Sequence, residues 1–104
     1  MVAMIYIEEY EFDPSDKEEL IKIYTESKKI FDELNLPYIK NYTVYESTEN
    51  PGKIRGVVIY NEGGSTDKLY EDYMGHPKSG WVIENIQKII KPGNNETYKA
   101  LFPF

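Results

Sequence analysis

The chain has 104 residues, a length that favours one folded domain over residues 1–104. Hydrophobic residues make up 40% of it and aromatic residues 14%, which excludes an intrinsically disordered chain. Cysteine is absent, so disulfide bonds, thiolate nucleophiles and cysteine metal ligands are excluded as well.

The charge balance narrows the classes of partner. The formal net charge is -6 at pH 7, and Arg55 is the one arginine. This acidic balance opposes binding to nucleic-acid phosphates and to anionic membranes, so we expect neither partner. The first residues lack the pattern of a signal peptide and no apolar run could span a bilayer, which predicts a cytoplasmic protein. Abundant lysine, glutamate and isoleucine with a single glutamine are typical of thermophile proteins, whereas the seven asparagines are not.

The first part of the chain predicts a strand followed by a helix. Residues 3–12 alternate as a strand does, with tyrosines and Glu8 on one face and isoleucines on the other. Ser15 and Glu18 have the spacing of a capping box, which marks the start of a helix. An apolar stripe at intervals of three and four residues continues this helix, which Pro37 ends.

The middle of the chain predicts a β-hairpin. Residues 39–46 and 54–60 are rich in β-branched and aromatic residues, which favour strands. They flank the turn Asn50-Pro51-Gly52, in which proline presets its own φ and glycine accepts a positive one.

The last part predicts an interrupted helix and a final strand. Ser65 or Thr66 can cap a short helix that breaks at Gly75-His76-Pro77. A longer helical segment then runs to Ile90 before a Lys-Pro-Gly stop, and the last strand is expected at residues 97–104.

This order of elements predicts a ferredoxin-like α+β fold, βαββαβ, with a four-stranded antiparallel sheet and two helices on one face. Neither face of the strands is clearly polar: Val57 and Ile59 alternate with Val58 and Tyr60. Two helices cover one face only, so the other face would expose a large apolar patch unless a second sheet packed on it. We therefore predict a homodimer through the open sheet face. The alternative is a monomer with an amphipathic, tyrosine-rich surface.

The long first helix, the hairpin segment 45–53 and the reopening of the broken helix at Gly80-Trp81 resemble the dimeric α/β-barrel superfamily. This group includes NIPSNAP-like proteins, antibiotic-biosynthesis and haem-degrading monooxygenases, muconolactone-isomerase-like enzymes and stress-responsive barrel proteins. The resemblance covers nearly the whole chain. It implies a pocket between the sheet and the helices, roofed by the broken second helix.

The resemblance also bears on individual residues. Cofactor-free monooxygenases of the group use an asparagine and a tryptophan in the pocket, and Trp81 matches the tryptophan by position. The first strand offers Glu8 in place of the asparagine. Haem-degrading members have a histidine after the tryptophan, whereas the only histidine of this chain, His76, precedes Trp81. We therefore expect no haem and no other cofactor.

Three residues are candidates for catalysis. His76 titrates near neutral pH and lies in the helix break, although a solvent-exposed loop histidine is the plainer interpretation. Trp81 could stack on a planar ligand or pack in the core. Glu8 lies between tyrosines, so an apolar environment could raise its pKa for proton transfer. The alternatives for Glu8 are a partly solvated strand end or an ion pair with Arg55.

Ligand binding and overall function complete the interpretation. Tyr24, Tyr42 and Tyr73 are candidates for lining a substrate pocket, although tyrosines of the core would show the same pattern. One histidine and scattered carboxylates do not make a metal site.

We expect a cofactor-independent oxygenase or isomerase that acts on a small aromatic or apolar molecule. The alternative is a non-catalytic, small-molecule-binding or regulatory dimeric module. An RNA-binding domain shares the topology, but it would need basic and aromatic residues interleaved on the sheet.

Overall fold

The computed structural model describes residues 4–104, so the predicted strand start at Ala3 lies outside the described residues. The helices and strands are β1 (Met4–Phe12), α1 (Lys17–Leu34), β2 (Ile39–Glu46), β3 (Lys53–Tyr60), α2 (Thr66–Met74), α3 (Ser79–Gln87) and β4 (Ile90–Lys99).

The four strands form one antiparallel sheet in the order β2-β3-β1-β4. This order confirms the ferredoxin-like prediction, and the break between α2 and α3 falls where the sequence indicated. The core lies between the sheet and the helices. Its most deeply buried side chains are Ile23 and Ile30 of α1 and Val58 of β3.

The register of the central strands decides which side chains lie beneath the helices. Along β3 every second residue is buried, from Ile54 through Gly56 and Val58 to Tyr60. Glu8 of β1 is the register partner of Gly56, so its side chain shares this covered face.

The start of the first helix differs in detail from the prediction. Pro14–Asp16 forms a 3-10 turn, and the Asp13 carboxylate accepts a hydrogen bond from the Ser15 N–H at 2.9 Å. The capping box of Ser15 and Glu18 does not form, because Ser15 lies within this turn and Asp16 precedes α1. At the other end, Asn35 adopts a left-handed conformation and its N–H donates to the Phe31 carbonyl.

The predicted end of the chain is corrected by the structure. We expected a helix to Ile90 and a strand at 97–104, whereas α3 ends at Gln87 and β4 occupies Ile90–Lys99. Pro92-Gly93, expected to stop the helix, lies inside the strand. Proline is tolerated there because β4 is an edge strand, whose outer N–H groups need no strand partner.

The other face of the sheet is left open by the helices of residues 4–104. Ile5 and Ile7 of β1 are the register partners of Ile59 and Val57 of β3, and all four side chains are only partly buried. This open face is apolar at its centre, as the alternation of the strands predicted.

The hairpin turn between β2 and β3 supplies a test of the local packing. Gly52 has a φ of 89°, its carbonyl accepts a hydrogen bond from the Phe12 N–H at 2.8 Å, and an added Cβ would lie 2.5 Å from the Phe12 carbonyl oxygen. We expect Gly52→Ala to lower the free energy of unfolding by about 3 kcal/mol, because left-handed strain and a backbone clash add. Urea denaturation measures this loss.

Gly63→Ala is the matched control. Gly63 has a similar φ of 85°, but an added Cβ would meet nothing within 4 Å. The control should lose only the left-handed contribution, about 1 kcal/mol. Equal losses in the two variants would contradict the close approach of Gly52 to β1.

Candidate functional site

Glu8 lies on the covered face of a central strand, where its carboxyl is partly buried beneath the helices. The Tyr10 hydroxyl donates a hydrogen bond to Glu8 Oε2 from the same face of β1. The Tyr42 hydroxyl of β2 lies near the same carboxyl and lowers its pKa. One phenol is therefore hydrogen-bonded to the carboxyl, and a second approaches it from a neighbouring part of the sheet.

Gly56 allows Tyr42 to reach Glu8 across the intervening strand. It lies on β3 between the two residues, and a Cβ added there would be 3.4 Å from Tyr42 Cε1, 3.6 Å from Tyr42 Oη and 3.9 Å from Glu8 Cβ. The Tyr42 ring thus rests directly over the glycine backbone. A larger side chain at this position would occupy the space of the ring.

Burial sets the protonation of this cluster. Burial raises the pKa of Glu8 above its usual range, although the nearby hydroxyls of Tyr10 and Tyr42 act in the opposite direction. Burial, assisted by the nearby Glu8 charge, raises the pKa of Tyr24 to about 12 and the pKa of Tyr42 well above its ordinary value. The phenols therefore stay protonated, whereas the carboxyl of Glu8 is the group of this cluster whose pKa is shifted upwards from the acidic range.

A groove opens between α1 and the edge strand β2, with a volume of about 880 Å³. Its apolar walls include Leu20, Tyr24, Phe31, Ile39, Tyr42 and Val44. Tyr42 lines this groove and its hydroxyl lies near Glu8, whereas Glu8 itself is not one of the residues that line the groove. The resemblance implied a pocket roofed by the broken second helix, whereas this groove is bounded by α1 and β2.

The three tyrosines proposed for ligand binding occupy two positions. Tyr24 and Tyr42 line the groove. Tyr73 of α2 contacts the groove through Phe31: its ring centroid lies 5.2 Å from that of Phe31, which packs edge-on against Tyr42 at 5.4 Å. The Tyr73 hydroxyl is hydrogen-bonded to Ser27 at 2.8 Å. Tyr73 therefore supports the wall of the groove from behind.

The structure places His76 outside the groove. Its Nδ1 accepts a hydrogen bond from the Lys78 N–H at 3.0 Å, so the proton of the neutral ring is on Nε2, which contacts the Glu33 carboxylate of α1. This contact lowers the pKa of Glu33. His76 thus links the break between α2 and α3 to α1, and this contact is a structural role for His76.

The structure also decides the predicted position of Trp81 and the predicted ion pair between Glu8 and Arg55. Trp81 of α3 is 51% exposed, so it neither packs in the core nor lines the groove. Arg55 pairs with Glu9 on the open face, and the alternative ion pair with Glu8 does not form. The structure therefore brings Glu8 together with Tyr24 and Tyr42, and it separates His76 and Trp81 from them.

Tyr10 and Gly56 belong to the site but were not proposed as site residues. Tyr10 was noted in the sequence only as a tyrosine that flanks Glu8 on the same strand face, which is the position from which it reaches the carboxyl. A glycine inside a strand indicates a close approach of another group, which was the available signal for Gly56.

Within residues 4–104, no group of three or more histidine, cysteine, aspartate or glutamate side chains is placed to hold a metal ion. The helices of the same residues are too short or too polar to cross a bilayer.

Comparison with known proteins identifies the fold. No family model and no curated protein matches the chain. Among solved structures, SnoaB, a cofactor-independent oxygenase from Streptomyces nogalater, superposes with a TM-score of 0.72 at 8% identity, over 99% of this chain and 97% of SnoaB. A protein from Bordetella bronchiseptica, assigned as an antibiotic biosynthesis monooxygenase, gives a TM-score of 0.73 at 11% identity, over 98% and 100% of the two chains. One from Chloroflexus aurantiacus with the same assignment gives 0.71 at 14% identity, over 98% and 96%. The chain is thus similar in fold to these proteins, as its resemblance implied.

The raised pKa of Glu8 predicts how stability depends on pH. The folded state favours protonated Glu8, so this contribution is complete below the unfolded pKa, near 4.5, and is lost as the pH rises through the folded pKa. Glu8→Gln cannot ionise, so we expect it to exceed the wild type in unfolding free energy at pH 8 by about 1.4 kcal/mol per unit of pKa shift. At pH 4 this advantage should disappear.

Urea denaturation at the two pH values measures the effect. Glu11→Gln is the control, because Glu11 is exposed on the same strand. A stability difference between Glu8→Gln and the wild type that stays constant from pH 4 to pH 8 would show that Glu8 ionises freely.

Proposed function

We propose that this protein is a cofactor-independent oxygenase or isomerase that removes a proton from a small aromatic molecule, with Glu8 as the base. The observation that carries this proposal is a partly buried carboxyl of raised pKa, hydrogen-bonded to Tyr10 and close to the hydroxyl of Tyr42, which lines an apolar groove. A base works best when its pKa lies near the operating pH, and burial moves a carboxyl in that direction.

Both branches of the proposal begin with the same proton transfer. Glu8 would take a proton from an activated C–H group, and the phenol hydroxyls of Tyr10 or Tyr42 would donate to the negative charge that develops. An isomerase returns the proton at another carbon of the ligand. An oxygenase passes the electrons of the carbanion to molecular oxygen, so that a CH2 group and O2 give a C=O group and water.

The groove supports an aromatic or apolar ligand. Aromatic and aliphatic side chains form its inner walls, and its volume of about 880 Å³ falls within the range of small-molecule sites. A planar ring could stack against Tyr24, Tyr42 or Phe31, where edge-on and offset contacts are favourable. The fold shared with SnoaB, which is a cofactor-independent oxygenase, supports the oxygenase branch.

A non-catalytic binding module is the second candidate. It is favoured by the positions of His76 and Trp81, because His76 contacts Glu33 and Trp81 does not line the groove. Glu8 would then be a buried polar anchor for ligand recognition, and no proton would be transferred.

The proposal includes a homodimer formed through the open sheet face. Ile5, Ile7, Val57 and Ile59 are adjacent on this face and remain partly exposed in the single chain. A second sheet packed at a distance of about 10 Å would remove these side chains from water. The central position of the isoleucine and valine pairs favours face-to-face packing over association through an edge.

Anthrone is a suitable probe of the chemistry, because its CH2 group is activated by two aromatic rings and a ketone. We expect the wild type to consume oxygen and form anthraquinone and water, at a rate that rises with pH as Glu8 loses its proton. Glu8→Gln should lower oxygen uptake by about 10²–10⁴-fold and leave the Kd for anthraquinone within about threefold.

Oxygen-electrode and fluorescence titrations measure these two quantities, with Glu11→Gln as the control. Oxygen uptake by Glu8→Gln at the wild-type rate would exclude Glu8 as the base. Binding of anthraquinone without any oxygen uptake by the wild type would favour the non-catalytic candidate.

The dimer is tested by placing a charge on the open face. Val57→Glu would bury a carboxylate between two apolar sheets, so it should dissociate the dimer into folded monomers. Size-exclusion chromatography with light scattering should give the wild type twice the mass of one chain and the variant the mass of one chain. Met74→Glu, on the exposed surface of α2, should remain a dimer. A monomeric wild type at micromolar concentration would overturn the proposed dimer.

A further inference from the structure

Five charged side chains line the groove between α1 and β2, three of them lysines and two of them carboxylates. Lys17 of α1 pairs with Glu46 of β2 at 2.9 Å, and Lys28 pairs with Asp32 within α1 at 3.1 Å. Lys40 of β2 is the third lysine, and it forms no ion pair with any carboxylate in the part of the chain that the structure describes. The lining of the groove therefore has one positive charge in excess.

This excess is opposite to the charge balance of the whole chain. The chain has 18 acidic and 12 basic residues and a formal net charge of -6. Such a protein repels anions at long range, but salt limits the repulsion between exposed charges to about 8 Å at physiological ionic strength. Within that distance the nearest charge decides, and along the groove it is a lysine. The groove is thus electrostatically complementary to an anion.

A β-bulge sets the position of Lys40. Ile39 is the register partner of Tyr60 and Asn41 is the register partner of Ile59, so Lys40 is an extra residue with no partner on β3. Bulges occur at sheet edges and next to functional sites, where they redirect a side chain. β2 is an edge strand, and Lys40 lines the groove. The irregular pairing of β2 therefore coincides with the unpaired charge.

The surroundings of Lys40 include a neutral hydrogen-bond donor. Asn41 also lines the groove, and its Oδ1 accepts a hydrogen bond from Thr43 Oγ1 at 3.3 Å, which leaves the NH2 group as a donor. The C-terminal end of α1, capped by Asn35, acts in the opposite direction with the equivalent of about half a negative charge. The full charge of Lys40 outweighs it, so the balance still favours an anion.

We propose that the ligand of the groove is an aromatic carboxylate and that Lys40 binds its carboxylate group. This inference rests on the proposed function, whose ligand it narrows from an aromatic molecule to an aromatic anion. Lys40 and Tyr42 are two residues apart, which is about 7 Å along a strand. A carboxylate on the outer ring of a fused aromatic system would reach Lys40 while another ring contacts Tyr42 and Phe31. The methylene stem of Lys40 would pack against the ring system.

Two probes of nearly equal shape and different charge test this inference. Anthraquinone-2-carboxylate is an anion at neutral pH, whereas anthraquinone-2-carboxamide is neutral. In fluorescence titrations we expect the wild type to bind the carboxylate about fivefold more tightly than the carboxamide at low salt, as for a solvent-exposed ion pair. The ratio of the two Kd values should approach one in about 1 M sodium chloride, where the screening length falls to about 3 Å.

Substitutions assign the preference to one side chain. Lys40→Met keeps an unbranched apolar stem and removes the charge, so the two probes should bind with Kd values within about twofold of each other. Lys40→Glu should reverse the order and favour the carboxamide. The Kd of the carboxamide itself should stay within about twofold in both variants, which checks that the groove is intact. Lys88→Met is the control and should keep the wild-type ratio, because Lys88 is exposed after α3 and does not line the groove.

The outcomes separate this inference from the proposed reaction. Equal Kd values for the two probes in the wild type, or a ratio that Lys40→Met leaves unchanged, would overturn the inference; oxygen uptake with neutral anthrone would then still support Glu8 as the base. A ratio lowered as much by Lys88→Met as by Lys40→Met would overturn it too, since the long-range field and not a contact would then be responsible. A carboxylate preference that depends on Lys40, without oxygen uptake by the wild type, would support the inference and contradict the reaction. Binding of neither probe would overturn the inference together with the ligand groove.

Discussion

The hydrogen bonding of the Glu8 carboxyl is the interaction on which the site depends. Glu8 lies on a central strand with its side chain on the helix-covered face, so its polar group cannot turn towards water without breaking the register of β1. A partly buried carboxyl needs a donor, and the Tyr10 hydroxyl provides one while the Tyr42 hydroxyl lies close by. Gly56 is a consequence of this requirement, because the Tyr42 ring reaches the carboxyl only across a strand position without a side chain.

The two faces of the sheet present different groups of side chains. The covered face holds the carboxyl, the phenols and the core, whereas the open face holds aliphatic pairs and the Glu9–Arg55 ion pair. The proposed chemistry on one face and the proposed association through the other could therefore be altered independently by substitution. The groove lies along the edge strand β2, which borders both faces.

More of the fold than of the candidate site could be predicted from the sequence. Alternation in β1 and β3 and the turn at Gly52 are local signals, and each of them placed its element correctly. The predicted end of α3 was wrong because Ile86, Ile89 and Ile90 have helical spacing. The pairing of β4 with β1 is a non-local interaction, and it overrides this local helical pattern. Glu8, Tyr24 and Tyr42 were proposed from strand and helix faces, and the structure brings them close together. His76 was proposed as the single histidine, placed in the helix break, and its contact with Glu33, 43 residues away, could not be predicted from spacing.

The cost of burying Glu8 is itself an argument for function. A carboxyl with a raised pKa lowers the stability of the fold at neutral pH, since ionisation is easier in the unfolded chain. A glutamine at the same position could accept and donate hydrogen bonds without this cost. Destabilising arrangements of this kind persist at functional sites, where a poised group is needed. A purely structural role gives no reason to prefer the carboxyl, whereas the proposed proton transfer does.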